Sequence, residues 1–236
     1  MTDDEIKYFF EKAENLITAN NLLEALKCYN TIIQSAPPLS HYYHQRGFIF
    51  QMLGKVSEAI NDMGRAIELD PDKASYWWER GALKSYKLSI DKSINFLERD
   101  KMLKEILEDY KKATELNPSD PVPWLDQIEL NILLNNFYEA VGLYGECQNH
   151  IHSKEYQLIR SWLGCIAVIF AEDKLEEDDY KPLQDESIKL KKVHWRVSEI
   201  ENFLDACKLR KDFGDRCKRA EEIHKQFLYH FIEKPW

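Results

Sequence analysis

At 236 residues, with 44% hydrophobic and 31% charged side chains, the chain can fill a real core and solvate its surface, which excludes a wholly disordered protein. The 32 Lys and Arg against 41 Asp and Glu leave a net charge of −9, the wrong sign for a protein whose main work is gripping phosphate backbones. Five scattered cysteines with no C-x-x-C argue against a disulfide framework or a zinc knot; with the acidic start Met1-Thr2-Asp3-Asp4-Glu5, a soluble, cytoplasmic protein is expected.

From the N-terminus onward, apolar residues recur at steps of three and four, as in Leu22, Leu23, Leu26, Tyr29, Ile32 and Ile33, which predicts amphipathic helices. The helices repeat. Ala13, Gly47 and Gly81 stand 34 residues apart, as do Phe9, Tyr43 and Trp77, Ala25 and Ala59, and Pro37 and Pro71. Small residues let two helices approach closely, large aromatics fill the space between units, and proline ends each unit because it cannot continue a helix.

The register then slips once. Trp77 to Trp124, Met63 to Tyr110, Ala66 to Ala113 and Pro71 to Pro118 are each 47 residues apart, so one unit carries a 13-residue insertion. The insertion is placed between Tyr86 and Ile106, and Asp91 to Leu116 reads as one long helix with Ile94, Leu97, Ile106, Leu107 and Tyr110 on its stripe. The 34-residue step resumes with Ile106 to Ala140, Tyr110 to Tyr144 and Ala113 to Cys147. The units are drawn at 6–39, 40–73, 74–120 and 121–154, giving a repeat region 1–154 and a C-terminal extension 155–236.

In that extension Tyr156, Ile159, Trp162, Leu163, Ile166 and Phe170 form another helical face. The acidic run Glu172 to Asp179, ending in Tyr180-Lys181-Pro182, reads as a solvated loop because it has no calcium-loop spacing. Helices are predicted at 186–211 and 215–232 to cap the apolar end of the array. Residues 187–219 hold ten Lys and Arg against five acids. The interspersed acids favour a solvated helical surface over a nucleic-acid site.

The pattern of aromatic, small residue, alanine, aromatic, alanine and proline within 34 residues resembles the tetratricopeptide repeat (TPR) family. Ile128 and His152 depart from it in the fourth unit, where the small residue and the proline would stand. The resemblance implies an all-α fold, a right-handed superhelical solenoid of antiparallel helix pairs with a C-terminal helical cap, whose first helices line a concave groove. Carried onto this chain, the groove residues are Phe10 and Glu14; His41, His44, Phe48 and Gln51; Ser75, Trp78, Ala82, Ser85 and Tyr86; and Leu125 and Glu129. Trp78 is expected to face the groove and its neighbour Trp77 to pack inward. The family's clamp for the carboxylate terminus of heat-shock chaperones would fall on Phe10, Glu14, Gln45, Ser75 and Glu79, which offer no cation and two repelling carboxylates, so that clamp is rejected.

No phosphate-cradling glycine loop, H-E-x-x-H or G-x-S-x-G occurs, and His41 with His44 lacks a third metal ligand. No enzyme, metal or cofactor is expected. The leading reading is an adaptor or assembly factor that holds a protein segment in its groove. A secretion-type TPR chaperone remains open, as does a regulator whose 187–219 segment binds nucleic acid or an acidic partner.

Overall fold

The computed structural model describes residues 1–91, 93–171, 175–185, 187, 197–210 and 213–230. Among them every regular element is a helix. The first six are α1 Asp3–Thr18, α2 Leu22–Ser35, α3 Ser40–Met52, α4 Val56–Leu69, α5 Ala74–Ile90 and α6 Phe96–Leu116. There follow α7 Pro121–Leu133, α8 Phe137–Glu146, a 3-10 turn at Cys147–Asn149, α9 Lys154–Phe170, α10 Glu177–Gln184, α11 Val197–Lys208 and α12 Gly214–Leu228. The chain divides into two compact units, Met1–Asn117 and Pro118–Trp236. No helix of the described residues is long and apolar enough to cross a membrane.

Local chemistry starts and stops these helices. Thr2 caps α1 in a reciprocal box with Glu5: the Glu5 N–H donates to Thr2 Oγ1 (3.3 Å) and the Thr2 N–H to Glu5 Oε2 (2.8 Å). Asp120 accepts from the Val122 N–H ahead of Pro121, where a missing N–H costs α7 nothing. The same turn links the helices of three pairs. Asn20, Gly54 and Asn135 all have positive φ (57°, 72° and 61°). In each, the next N–H reaches five residues back, from Asn21 to Leu16 O, Lys55 to Phe50 O and Asn136 to Asn131 O, at 2.7 to 2.8 Å. A left-handed residue closed by that six-to-one bond ends a helix and reverses the chain within three residues.

The third pair lacks this turn because the insertion occupies it. Against the second pair, α5 has 17 residues where α3 has 13, and α6 has 21 where α4 has 14. The connection 91–95 has five residues where 53–55 has three, and together the differences account for all 13 inserted residues. The expectation of one helix from Asp91 is therefore corrected: α5 runs on to Ile90, and α6 starts at Phe96 with Asn95 as its cap. Both helices of a hairpin grow together because each supports the other only where both are present. Leu97, expected on the buried stripe, is 76% exposed near the tip.

Within the first unit the core is a series of small clusters between successive helices, among them Ala13, Ala25, Tyr29, Ile32 and Ile49, and further along Ala66, Ile67 and Tyr76. Gly81 lets α5 and α6 touch: a Cβ there would lie 2.7 Å from the Tyr110 ring. The aromatic and proline columns turn out to be bonded to each other. Trp77 Nε1 donates to Pro71 O at 2.8 Å, and Trp124 Nε1 to Pro118 O at 3.0 Å.

The second unit has one large core built around α9, which is buried without a break from Leu158 to Phe170 apart from the half-buried Arg160. A helix apolar on all sides belongs in the middle of a core. Trp162 stacks flat on Phe227 of α12, with centroids 4.1 Å apart. Beside it Phe137 stacks on Phe170, with centroids 5.1 Å apart, and Phe203 and Phe213 meet both rings edge-on. The acidic run is also corrected: its end forms α10, with Glu176 and Asp179 in a capping box, because carboxylates are favourable at a helix N-terminus. Residues 186, 188–196 and 211 of the predicted helix 186–211 lie outside the described residues, as do 231 and 232 of the last one.

Candidate peptide-binding face

The candidate face of the first unit lies on α1, α3 and α5. Tyr29, fully buried on α2, donates its hydroxyl to Glu14 Oε1 at 2.6 Å. Burial, and then that carboxylate, push the phenol's pKa up, so it remains a neutral donor that fixes Glu14. Phe10 meets the Tyr29 ring edge-on at 6.1 Å and the His41 ring at 5.4 Å. His41 lies 6.4 Å from His44, which in turn lies 4.9 Å from Tyr76. His44 Nε2 sits 2.8 Å from Glu79 Oε2. A line of rings thus crosses all three helices, with one carboxylate toward each end. Burial first, and then the neighbouring His44, lower the pKa of His41, so its neutral form is favoured.

The opposite sides of α3 and α5 carry the cations. Arg46 forks onto Asp62 of α4 through Nε and Nη2, both at 2.7 Å, and reaches Asn30 Oδ1 with Nη1 at 2.9 Å. Arg80 forks onto Asp109 of α6, joined there by Lys84 Nζ at 2.9 Å. Lys87 Nζ donates to Ser57 Oγ of α4 at 3.0 Å. These ties bind α3 and α5 to second helices and fix their rotation.

Of the residues predicted for the groove, Phe10, Glu14, His41 and His44 are brought into one connected group. Phe48 and Tyr86 stay exposed, at 42% and 39%, and Gln51 is exposed as well. Ser75, Trp78, Ala82 and Ser85 are half-buried on α5. Leu125 and Glu129 belong to the second unit; Leu125 has no exposed surface and sits in its core, because α9 and α11 both pack against α7. That burial leaves Leu125 nothing to offer a partner, while Glu129 is half-buried. Trp77 is also only half-buried, held by its bond to Pro71 and by Arg80, whose guanidinium carbon lies 5.0 Å from its ring centroid. The side chain that packs fully inward is Tyr76, at 5% exposure.

Sequence reasoning missed Tyr76 and Glu79. Glu79 was visible only as a residue unsuited to a carboxylate clamp, although its place 35 residues after His44 puts it on the neighbouring helix within reach of the imidazole.

Among the described residues no three of His, Cys, Asp and Glu are placed to hold a metal ion. All five cysteines are buried. Burial pushes the thiols of Cys28, Cys147 and Cys217 up, and that of Cys165 to about 12, away from the thiolate a nucleophile needs.

Residues 40–73 match the model of a family described as tetratricopeptide repeat. Among curated relatives, DnaJ homolog subfamily C member 3 of Rattus norvegicus is 27% identical over 116 residues, which is 49% of this chain and 20% of that protein. Tetratricopeptide repeat protein 13 of Homo sapiens is 31% identical over 94 residues, 40% of this chain and 9% of that protein. The match spans a fifth or less of the length of these relatives. Among solved structures, a MamA protein superposes with a TM-score of 0.60 at 10% identity, covering 89% of this chain and 97% of that one. YrrB, described as a TPR protein with an unusual peptide-binding site, superposes with a TM-score of 0.58 at 13% identity, covering 91% of this chain and 90% of that one. At such identities the likeness is one of fold.

Proposed function

We propose that this chain, which matches the tetratricopeptide repeat model over residues 40–73 and shares the fold of a solved TPR protein, works without catalysis, as an adaptor or assembly factor that holds a segment of a protein partner on the inner face of α1, α3 and α5. The observation that carries this reading is the run of rings Phe10, His41 and His44, which rests on the buried Tyr76 and is flanked by the exposed Phe48 and the half-buried Trp78. Aromatic side chains give large contact area at low entropic cost, and ones left open to water on a shared face are typical binding anchors. A peptide-binding site in YrrB, which shares the fold, supports the same class of ligand here.

The basic C-terminal segment is the weaker candidate. Of its described cations, Lys208 is paired with Asp205 and Glu221, both at 2.7 Å, and Lys218 with Asp215 at 3.2 Å. Arg210 lies 3.9 Å and Arg216 5.3 Å from the centroid of the Phe213 ring. Lys208, through Glu221, and Arg216, through its 3.3 Å bond to Phe170 O, tie helices together, while Lys218 pairs within α12. Lys189, Lys191, Lys192, Arg196 and Lys211 lie outside the described residues.

The test is capture of partners from native lysate with the parent and with Phe48→Ala and Trp78→Ala. Each replacement is expected to weaken capture about tenfold, since a hot-spot aromatic is worth about 2 kcal/mol. Capture unchanged by both replacements would refute the groove reading.

A further inference from the structure

We propose that the segment held on this face is cationic, a stretch of a partner protein carrying lysine or arginine among apolar side chains. The inference rests on the groove reading above and adds the chemistry of the occupant. Every Lys and Arg of α3 and α5 is committed elsewhere: Arg46 to Asp62 and Asn30, Arg80 and Lys84 to Asp109, and Lys87 to Ser57. The one acid on these two helices, Glu79, is instead turned toward His44 and the ring line. On α1 the matching carboxylate is Glu14. Lys7, in the same 34-residue column as His41, lies 4.0 Å from Glu11, so that pair adds no net charge to the rim.

Among the described residues, each carboxylate is held in place by one side-chain partner. Glu14 accepts from the Tyr29 hydroxyl through Oε1, and Glu79 meets His44 through Oε2. Each keeps a second oxygen for a ligand, and the first bond fixes its direction, so less entropy is lost when a cation docks. Glu79 is only 29% exposed, where water screens its charge less than at the open surface. The adjoining aromatics also favour a cation through the negative faces of their rings. An acidic or C-terminal carboxylate ligand would meet repulsion from both sides.

The experiment uses the full chain and three labelled twelve-residue peptides that share the same leucine and phenylalanine positions. Their remaining positions are lysine in the first, glutamine in the second and glutamate in the third. Fluorescence anisotropy at low salt is expected to show the lysine peptide binding about tenfold tighter than the glutamine peptide, and the glutamate peptide weakest. Glu79→Gln and Glu14→Gln should each remove much of the lysine preference. Glu58→Gln, an exposed change of the same charge on α4, should leave the preference intact.

Equal binding of the lysine and glutamine peptides would overturn the charge inference while leaving the groove reading in place. A lysine preference that survives Glu79→Gln and Glu14→Gln would also overturn it, since attraction to a chain of net charge −9 needs no site. Failure of all three peptides to bind would count against both readings. Thermal melts of the two variants show whether either has lost its fold, and the variant that keeps it decides.

Discussion

Arg80 and Asp109 meet fork to fork between α5 and α6, with Nε 3.1 Å from Oδ2 and Nη2 2.5 Å from Oδ1. Arg46 and Asp62 make the same pair one unit earlier. The arginines are 34 residues apart and the aspartates 47, so the insertion lies between the two partners of one pair and leaves their meeting undisturbed. Asp109 is 2% exposed and balances two cations, Arg80 and Lys84. Asp109→Asn should therefore cost about 3–5 kcal/mol, as expected when one member of a buried pair is removed and the other is stranded. Asp62→Asn, which strands only Arg46, should cost less. Urea unfolding of both variants checks the order, and equal losses would mean that Lys84 relaxes into solvent.

Glycines in this chain predict opposite outcomes by position. At Gly81 a Cβ would fall 2.7 and 2.9 Å from two atoms of the buried Tyr110 ring. Gly81→Ala should destabilise by about 1–3 kcal/mol, because the ring cannot retreat without moving α6. Gly142, within α8, has nothing within 4 Å of the same position. There alanine only relieves the entropic cost of glycine in a helix, and Gly142→Ala should stabilise by about 0.5–1 kcal/mol. Melting curves of the two variants should move in opposite directions.

The features legible from the residues alone were those with an apolar or steric signature. Ala13, Gly47 and Gly81 gave away the close crossings, and the Trp and Pro columns marked the unit boundaries before their hydrogen bonds were known. Charged residues were harder to read. Arg46, Asp62, Arg80 and Asp109 obey the same spacings, but a charge in a helix is usually solvated, and only packing shows that these are not. Polar residues also do not say where a helix reverses, so Asp91 to Leu116 reads as one helix instead of part of an enlarged hairpin. Leu125 looked like a groove residue because a repeat has no way to announce that α9 and α11 will cover it.

The shape of the insertion sets how it can be removed. Because α5, the connection and α6 all grew, the extra residues lie on both sides of the tip of the hairpin. Deleting Ser93 to Glu105 would leave α5 too long, shorten α6 past its usual start and remove the Lys84–Glu105 contact at 3.5 Å. Replacing 87–102 by the Leu-Gly-Lys of positions 53–55 instead restores the turn of the second pair. Among the described side chains of 87–102, the buried one lost is Leu88, at 4% exposure, and a buried leucine is worth about 1.5–3 kcal/mol. The two-sided replacement should stay helical by circular dichroism and melt several degrees lower, while the block deletion should lose more. The reverse order would place core-forming contacts in the distal half of the hairpin.

His224 predicts an acid weakness in the second unit. Its ring is 7% exposed and lies 5.6 Å from that of Trp162, with Nε2 3.4 Å from Glu201 Oε1. Burial lowers its pKa from 6.5, and the opposing pull of Glu201 and Glu221 does not make up the difference. The fold therefore prefers the neutral imidazole. Below pH 6.5 the unfolded chain takes up a proton that the folded one refuses, so stability is full above that pH and is lost as pH falls toward the depressed folded value. His41 shifts in the same direction in the first unit, for the same leading reason. Thermal melts from pH 7.5 down to pH 5 should show a falling midpoint, and His224→Gln should flatten that fall by removing the titrating group. A variant with the parent's slope would assign the acid sensitivity to other groups and refute the role given to His224.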